Sequence, residues 1–323
     1  MRKIFLIAAA ALIIGGLFLM GGAFVASGMD FTRFDTNNYQ ENHYAVTEAF
    51  QNIDIQANEA RITLQYAEAP AGSSLTAEIH CTEREKTTYN VRVENGTLRI
   101  SMDDRRKWYD YIAMFSKSLT LQVILPQKEY AALTVNGQTG DVTVPGDFSF
   151  TGAEIKTSTG DVSYSAAVQD GLTVRTSTGS IGLNGVSAGQ INLSVSTGKI
   201  TAEQVSCRED LSVRVSTGKT VLSGLTCRNL VSSGDTGRIT LKDVTADEAI
   251  QIERSTGDVS FEHSDAGTLT VKTSTGNVTG TLRSEKIFSA SSSTGSVHVP
   301  ECLTGGRCEL RTSTGRIDIQ IAS

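Results

Sequence analysis

Thr157-Ser158-Thr159-Gly160-Asp161-Val162 is one wording of a phrase that recurs through the second half of the chain. Its glycine returns at Gly140, Gly160, Gly179, Gly198, Gly218, Gly237, Gly257, Gly276, Gly295 and Gly315, in steps of 20, 19, 19, 20, 19, 20, 19, 19 and 20 residues. Nine steps cover 175 residues (315 − 140), and so regular a period marks a stacked repeat. Two residues after the glycine sit Val142, Val162, Ile181, Ile200, Thr220, Ile239, Val259, Val278, Val297 and Ile317, with Thr220 the exception among β-branched aliphatics. Five before it the chain reads Val135, Ile155, Val174, Leu193, Val213, Ser232, Ile252, Val271, Ala290 and Leu310. Each repeat is therefore a strand, a tight Thr-Gly turn and a second strand, with glycine where the turn needs positive φ.

Two architectures satisfy that code: a β-solenoid, in which each repeat is one coil, and an antiparallel meander of hairpins. The Ser-Thr pair before the glycine, as in Ser177-Thr178 or Ser274-Thr275, favours the solenoid. Identical hydroxyls at identical positions form a ladder when coils stack in register, and a meander has no need of them. The expectation is an all-β solenoid over residues 131–323, right-handed as parallel crossovers are, of about ten coils. At about 4.8 Å per coil it makes a rod of roughly 43 Å.

Upstream, residues 50–130 alternate in short runs such as Ile53/Ile55, Ile62/Leu64, Leu98/Ile100 and Leu119/Leu121/Val123. They predict a β-rich membrane-proximal module, with Asn95-Gly96 as a hairpin turn. Residues 30–49 are polar and aperiodic and read as a linker. Residues 1–29 begin with Arg2 and Lys3 and run uncharged from Ile4 to Met29. As a helix that run is roughly 39 Å long, enough to span a ~30 Å hydrocarbon core, with the remainder of the chain extracytoplasmic. A cleaved signal peptide is the rival reading, with Gly21-Gly22-Ala23 as small residues for a peptidase.

Composition narrows the function. Net charge is −6 (29 − 35), which disfavours nucleic acid as a partner. Four histidines, His43, His80, His263 and His298, share no ligand spacing, so no metal or cofactor is expected. The hydrophobic fraction, 39%, is enough for a core.

The repeated Thr157–Val162 phrase behind a single apolar segment resembles the bacterial putative-adhesin family of β-strand repeat proteins, which includes the membrane-anchored protein of the Lia envelope-stress operon. Phe50–Ile55, Ile62–Leu64 and the Leu119–Pro126 strand resemble its membrane-proximal part. The resemblance covers most of residues 50–323. It implies a protein without an assigned biochemical activity, either an adhesin-like interaction protein or an accessory of an envelope-stress response.

Several motifs invite sharper readings. Gly185-Val-Ser187-Ala-Gly189 matches a nucleophile elbow but lies in a β-repeat without a helix. Thr217-Gly218-Lys219-Thr220 resembles the end of a P-loop, yet position 213 is valine. Asp141, Asp161 and Asp258 follow turn glycines as in calcium β-rolls, but Lys199, Lys219, Arg238 and Arg316 hold the same position elsewhere. Thr157/Thr159, Thr176/Thr178, Thr273/Thr275 and Thr312/Thr314 suggest a flat ice-binding face, which Val195, Val215, Gly234 and Arg254 interrupt. Arg105, Arg106, Lys107, Trp108, Tyr109 and Tyr111 form a candidate interaction patch, or else a cap over the first coil. Cys207 and Cys227 fall at the same repeat position one coil apart and are a candidate disulfide. The expected function is non-enzymatic: an extracytoplasmic protein bound to the membrane through its N-terminal helix and meeting a protein or envelope polymer. A polysaccharide-active β-helix enzyme is the remote alternative, and it requires carboxylates gathered on adjacent coils in one cleft.

Overall fold

The computed structural model describes residues 38–67, 76–107 and 117–322, together with Gly15, Gly16 and Gly22, which are helical. The rest of the anchor expected over residues 1–29 lies outside the described residues. Among those described, no helix is long and apolar enough to cross a membrane.

The described strands form one hydrogen-bonded sheet of 23 strands wound into a β-solenoid. The repeat code is its stacking code. The turn-plus-two residues pair in parallel register, Val142 with Val162, Val162 with Ile181, Ile181 with Ile200, then onward through Thr220, Ile239, Val259 and Val278. Each central member is at most 1% exposed, so the column is a continuous buried spine, apolar except at Thr220. The residues seven and five before the glycine make two further buried columns, with Leu211 and Val213 one level of each. Parallel pairing in register excludes the meander.

The turn glycines have φ between 132° and 156°, and a second constraint reinforces the first. Each turn lies directly on the last. A Cβ on Gly218 would overlap the carbonyl of Gly198, and one on Gly237 the carbonyl of Gly218. Both the left-handed backbone and the closeness of the stacked turns demand glycine. The glycine N–H then donates to the threonine carbonyl of the adjacent coil, as in Gly257 to Thr275 at 2.8 Å.

Coil order follows chain order only in the middle. At the C-terminal end, strand Val259–Thr275 pairs with Gly306–Thr314, and Gly306–Thr314 pairs in turn with Lys286–Thr294. The coil of residues 306–321 is therefore inserted between its two predecessors, and residues 286–298 form the outermost coil. The N-terminal end does the same. Strand Asn52–Glu59 pairs on one side with Glu129–Thr139 and on the other with Thr97–Asp104. Arg61–Tyr66 likewise sits between Val142–Val144 and Thr120–Leu125.

Asn52–Glu59, Arg61–Tyr66, Thr97–Asp104 and Thr120–Leu125 thus continue the same stack across position 131. Beyond their outermost coil the pairing turns antiparallel. Thr87–Glu94 hairpins onto Thr97–Asp104 through Asn95 and Gly96, both at positive φ, as the Asn-Gly signal predicts. Ala77–Arg84 pairs with Thr120–Leu125, and Tyr39–Val46 with Ala77–Arg84. The polar stretch read as linker therefore contains a strand. Its alternation is weak because it lies at the margin of the sheet, where little is buried.

Candidate functional site

The site is a local failure of the repeat. Three residues before the turn glycine, the ordinary occupant is a small buried side chain. Thr157, Thr176, Thr273 and Thr312 are all at most 7% exposed. Thr176 donates to the carbonyl of Gly160 at 3.3 Å and Thr312 to that of Gly276 at 3.0 Å. These threonines face inward and tie one turn to the next, so the flat ice-binding face does not exist. Val195 and Val215 fill the same column with methyl groups.

Gly137 and Ser292 hold the column near its two ends, and within the stack two adjacent coils break it. Gly234 has no side chain, and a Cβ there would overlap the Val215 carbonyl and Arg254 Nη1. The Arg254 side chain from the next coil runs inward through that space. Its Nη2 donates to Ser232 Oγ at 2.8 Å and Thr220 Oγ1 at 3.4 Å, and its Nη1 reaches the Val215 carbonyl at 3.5 Å. Arg254 is 6% exposed and its Nε has no hydrogen-bond partner. No carboxylate of the described residues forms an ion pair with it. Burial pulls its pKa down, with Asp235 opposing at longer range. Thr220, Ser232, Gly234 and Arg254 each depart from their own column, and the structure brings all four to one guanidinium.

This guanidinium underlies a groove of about 680 Å³ on one side of the solenoid. The groove crosses the coils from Arg214 to Ser291 and Ser293 of the outermost one. Arg214 and Lys272 line it without ion pairs among the described residues, while Arg311 is held by Glu309 at 2.8 Å. Two carboxylates, Asp235 and Glu253, also line it. Four cations against two acids leave +2 in the groove of a chain whose net charge is −6. The other lining side chains are serines and threonines, and no aromatic or aliphatic side chain is among them.

The candidates from sequence fare differently. Arg106 is inside an ion-pair cluster at the N-terminal end, 2.8 Å from Glu59 and 2.5 Å from Asp104, with its side chain 8% exposed. Arg84 reaches the same Glu59 at 2.9 Å. Arg105 is exposed and bonded to Asp103 at 2.8 Å, and Lys107 is exposed. Trp108, Tyr109 and Tyr111 lie outside the described residues. The basic run is thus divided between the cap and the surface.

Cys207 and Cys227 stack in one buried column, because Ala188 pairs with Cys207 and Ser206 with Thr226. Both stand as free thiols. Burial pushes the Cys227 thiol up to about 12 and raises Cys207 as well, so both stay protonated at neutral pH. The turn aspartates have a structural task. Asp141 accepts from the backbone N–H of Asp161 at 3.0 Å, and Asp161 from that of Ser180 at 2.7 Å. Asp258 accepts from that of Asn277 at 3.0 Å. Ser187 lies on a two-residue strand beside Ser206, with no helix following it. Among the described residues no three His, Cys, Asp or Glu side chains are placed to hold a metal.

The family model for Toastrack DUF4097 matches residues 50–209 and again residues 206–323. Among solved structures, a putative adhesin from Parabacteroides distasonis is 11% identical, with 88% of this chain and 98% of that one covered and a TM-score of 0.45. A putative adhesin from Bacteroides fragilis is 13% identical, covering 88% and 97%, with a TM-score of 0.39. A putative lipid binding protein from Parabacteroides distasonis is 16% identical, covering 75% and 94%, at 0.45. No curated protein matches the chain.

Proposed function

The chain belongs to the Toastrack DUF4097 family, and on that premise we propose that it is a non-catalytic interaction protein of the cell envelope. Its N-terminal segment holds it in the membrane, and the side of its solenoid meets an envelope polymer or a partner protein outside the cytoplasm. The observation that carries this reading is the form of the groove. It is an open channel crossing successive coils, suited to a long ligand lying along the rod rather than to a small substrate enclosed for reaction. The uncharged Ile4–Met29 run behind Arg2 and Lys3 supports the anchor.

The full-length chain, purified in detergent, should be retained on isolated envelope fractions of its own cells. Failure to bind any fraction overturns the interaction. Protease added to wall-stripped cells should remove the solenoid. A full-length product that survives overturns the topology.

A further inference from the structure

We propose that the groove over Arg254 binds an anionic polymer, with the phosphate or carboxylate groups of an extended chain lying along the coils from Arg214 to Arg311. The inference rests on the interaction reading above and specifies its ligand.

The first ground is the guanidinium itself. A buried charge without a carboxylate partner is costly, and the repeat offers ordinary alternatives at each of the positions involved. Its column takes threonine or valine in neighbouring coils, the column of Thr220 takes isoleucine or valine, and that of Ser232 takes valine or isoleucine. Three polar or charged departures and one glycine, spread over three coils, together hold one positive charge beneath an open channel. Departures from a local rule that agree with one another are expected where function constrains the sequence. An oxyanion in the groove adds to the longer-range negative charge of Asp235, which forms no ion pair with the guanidinium.

The second ground is spacing. Arg214 and Lys272 project from the same repeat position three coils apart, ~14 Å at about 4.8 Å per coil. Lys272 and Arg311 pair on adjacent coils. A single small ion cannot reach all three, whereas a polymer laid across the coils meets each in turn. Serine hydroxyls between the cations, among them Ser255, Ser274 and Ser313, donate to oxyanions or to sugar hydroxyls.

The lining also says what the ligand is not. Nucleic acid bound as a single strand is gripped largely by stacking on aromatic rings, and the groove has none. A neutral chain leaves the excess of cations over Asp235 and Glu253 unmet.

Titration calorimetry on the full-length protein in detergent tests this with four probes: inorganic polyphosphate, polygalacturonate, dextran and oligothymidylate. At least one of the first two should bind, more weakly as salt rises, and whichever binds tighter identifies phosphate or carboxylate as the natural group. Dextran should not bind, and oligothymidylate should bind much more weakly. Two variants locate the site. Lys272→Gln/Arg311→Gln changes exposed side chains and should weaken binding about tenfold or more, with the melting temperature little changed. Thr220→Ile/Ser232→Val/Arg254→Thr restores the ordinary repeat and should weaken binding while keeping or raising the melting temperature.

Absence of binding to both anionic polymers overturns the proposal, as does binding that neither variant disturbs or equal binding of oligothymidylate. If the protein is retained on envelope fractions yet ignores both polymers, only the ligand assignment falls.

Discussion

The two ends of the solenoid solve the same problem in unlike ways. Each tucks its terminal coil one place inward, leaving an earlier or later coil outermost. At the N-terminal end the strands of that outermost coil, Thr97–Asp104 and Thr120–Leu125, are then covered by antiparallel strands, so Leu98 and Ile100 are 0% and 1% exposed. At the C-terminal end the outermost coil, residues 286–298, pairs on one side only among the described residues. There Phe288 and Ala290, in the columns of Leu98 and Ile100, are half-buried, and Ile287 is 50% exposed. From Ile287 to Val297 that edge has no charged residue. Natural sheet edges are usually guarded by charge, proline or a covering element. The contrast teaches that burial in a solenoid belongs to position in the stack as well as to position in the repeat.

The sharpest way to break this comparison uses one repeat position at two levels. Val259 and Val297 are both turn-plus-two residues, 0% and 36% exposed. Val259→Asp buries a carboxylate between Ile239 and Val278 and should cost roughly 4–5 kcal/mol or prevent folding. Val297→Asp should stay within about 0.5 kcal/mol by urea denaturation. Equal effects would mean that the outermost coil is packed as tightly as the centre.

Truncating the two outermost coils tests the ends directly. Leu98→Ala removes a fully buried side chain and should cost about 2–4 kcal/mol. Phe288→Ala loses more atoms from a half-open site and should nevertheless cost only about 1–2 kcal/mol. Hydrogen exchange should agree. Amides of Lys286–Thr294 should open at a free energy about 1–2 kcal/mol below those of Thr97–Asp104. Matching protection would show that the C-terminal edge is covered.

The smallest effect concerns the turn ladder. The Asn277 backbone N–H, with Arg238 beside it, holds the Asp258 carboxyl below the usual carboxylate range. A depressed carboxylate stabilises the fold above its unfolded pKa of ~3.9, and that contribution is lost as pH falls through the native value. Between pH 5 and pH 3 the wild type should lose more stability than Asp258→Asn, by a few tenths of a kcal/mol for so exposed a group. Parallel loss in both would remove Asp258 from the ladder.

Much of this was legible before the fold was known. The columns, their registers and the glycine turns follow from the period alone, because a stacked coil repeats its environment. Coil order did not follow, and the reason is the same regularity. Leu269 packs as well on Cys308 as on Phe288, since all three obey one rule. The groove was half visible. Thr220 and Arg254 stood out as exceptions, but they are 34 residues apart and two coils removed, and only the reach of an arginine joins them. No motif encodes that meeting. The two readings of the basic run, patch and cap, divide at Arg106, because Glu59, 47 residues upstream, draws it inward while Arg105 stays exposed.

The inverted coil order also governs how the protein can be made. Chain emerging from the ribosome can lay coils down in sequence from Glu129 as far as Leu282. Strand Lys286–Thr294 then lacks its native partner, because that partner is Gly306–Thr314, which is synthesised later. That coil must wait until the following one has docked on Val259–Thr275. Completion of the rod is thereby tied to completion of the polypeptide. A chain released after residue 305 lacks the native partner of Lys286–Thr294, so its last coil is left at the edge or set on Val259–Thr275 in the place of Gly306–Thr314.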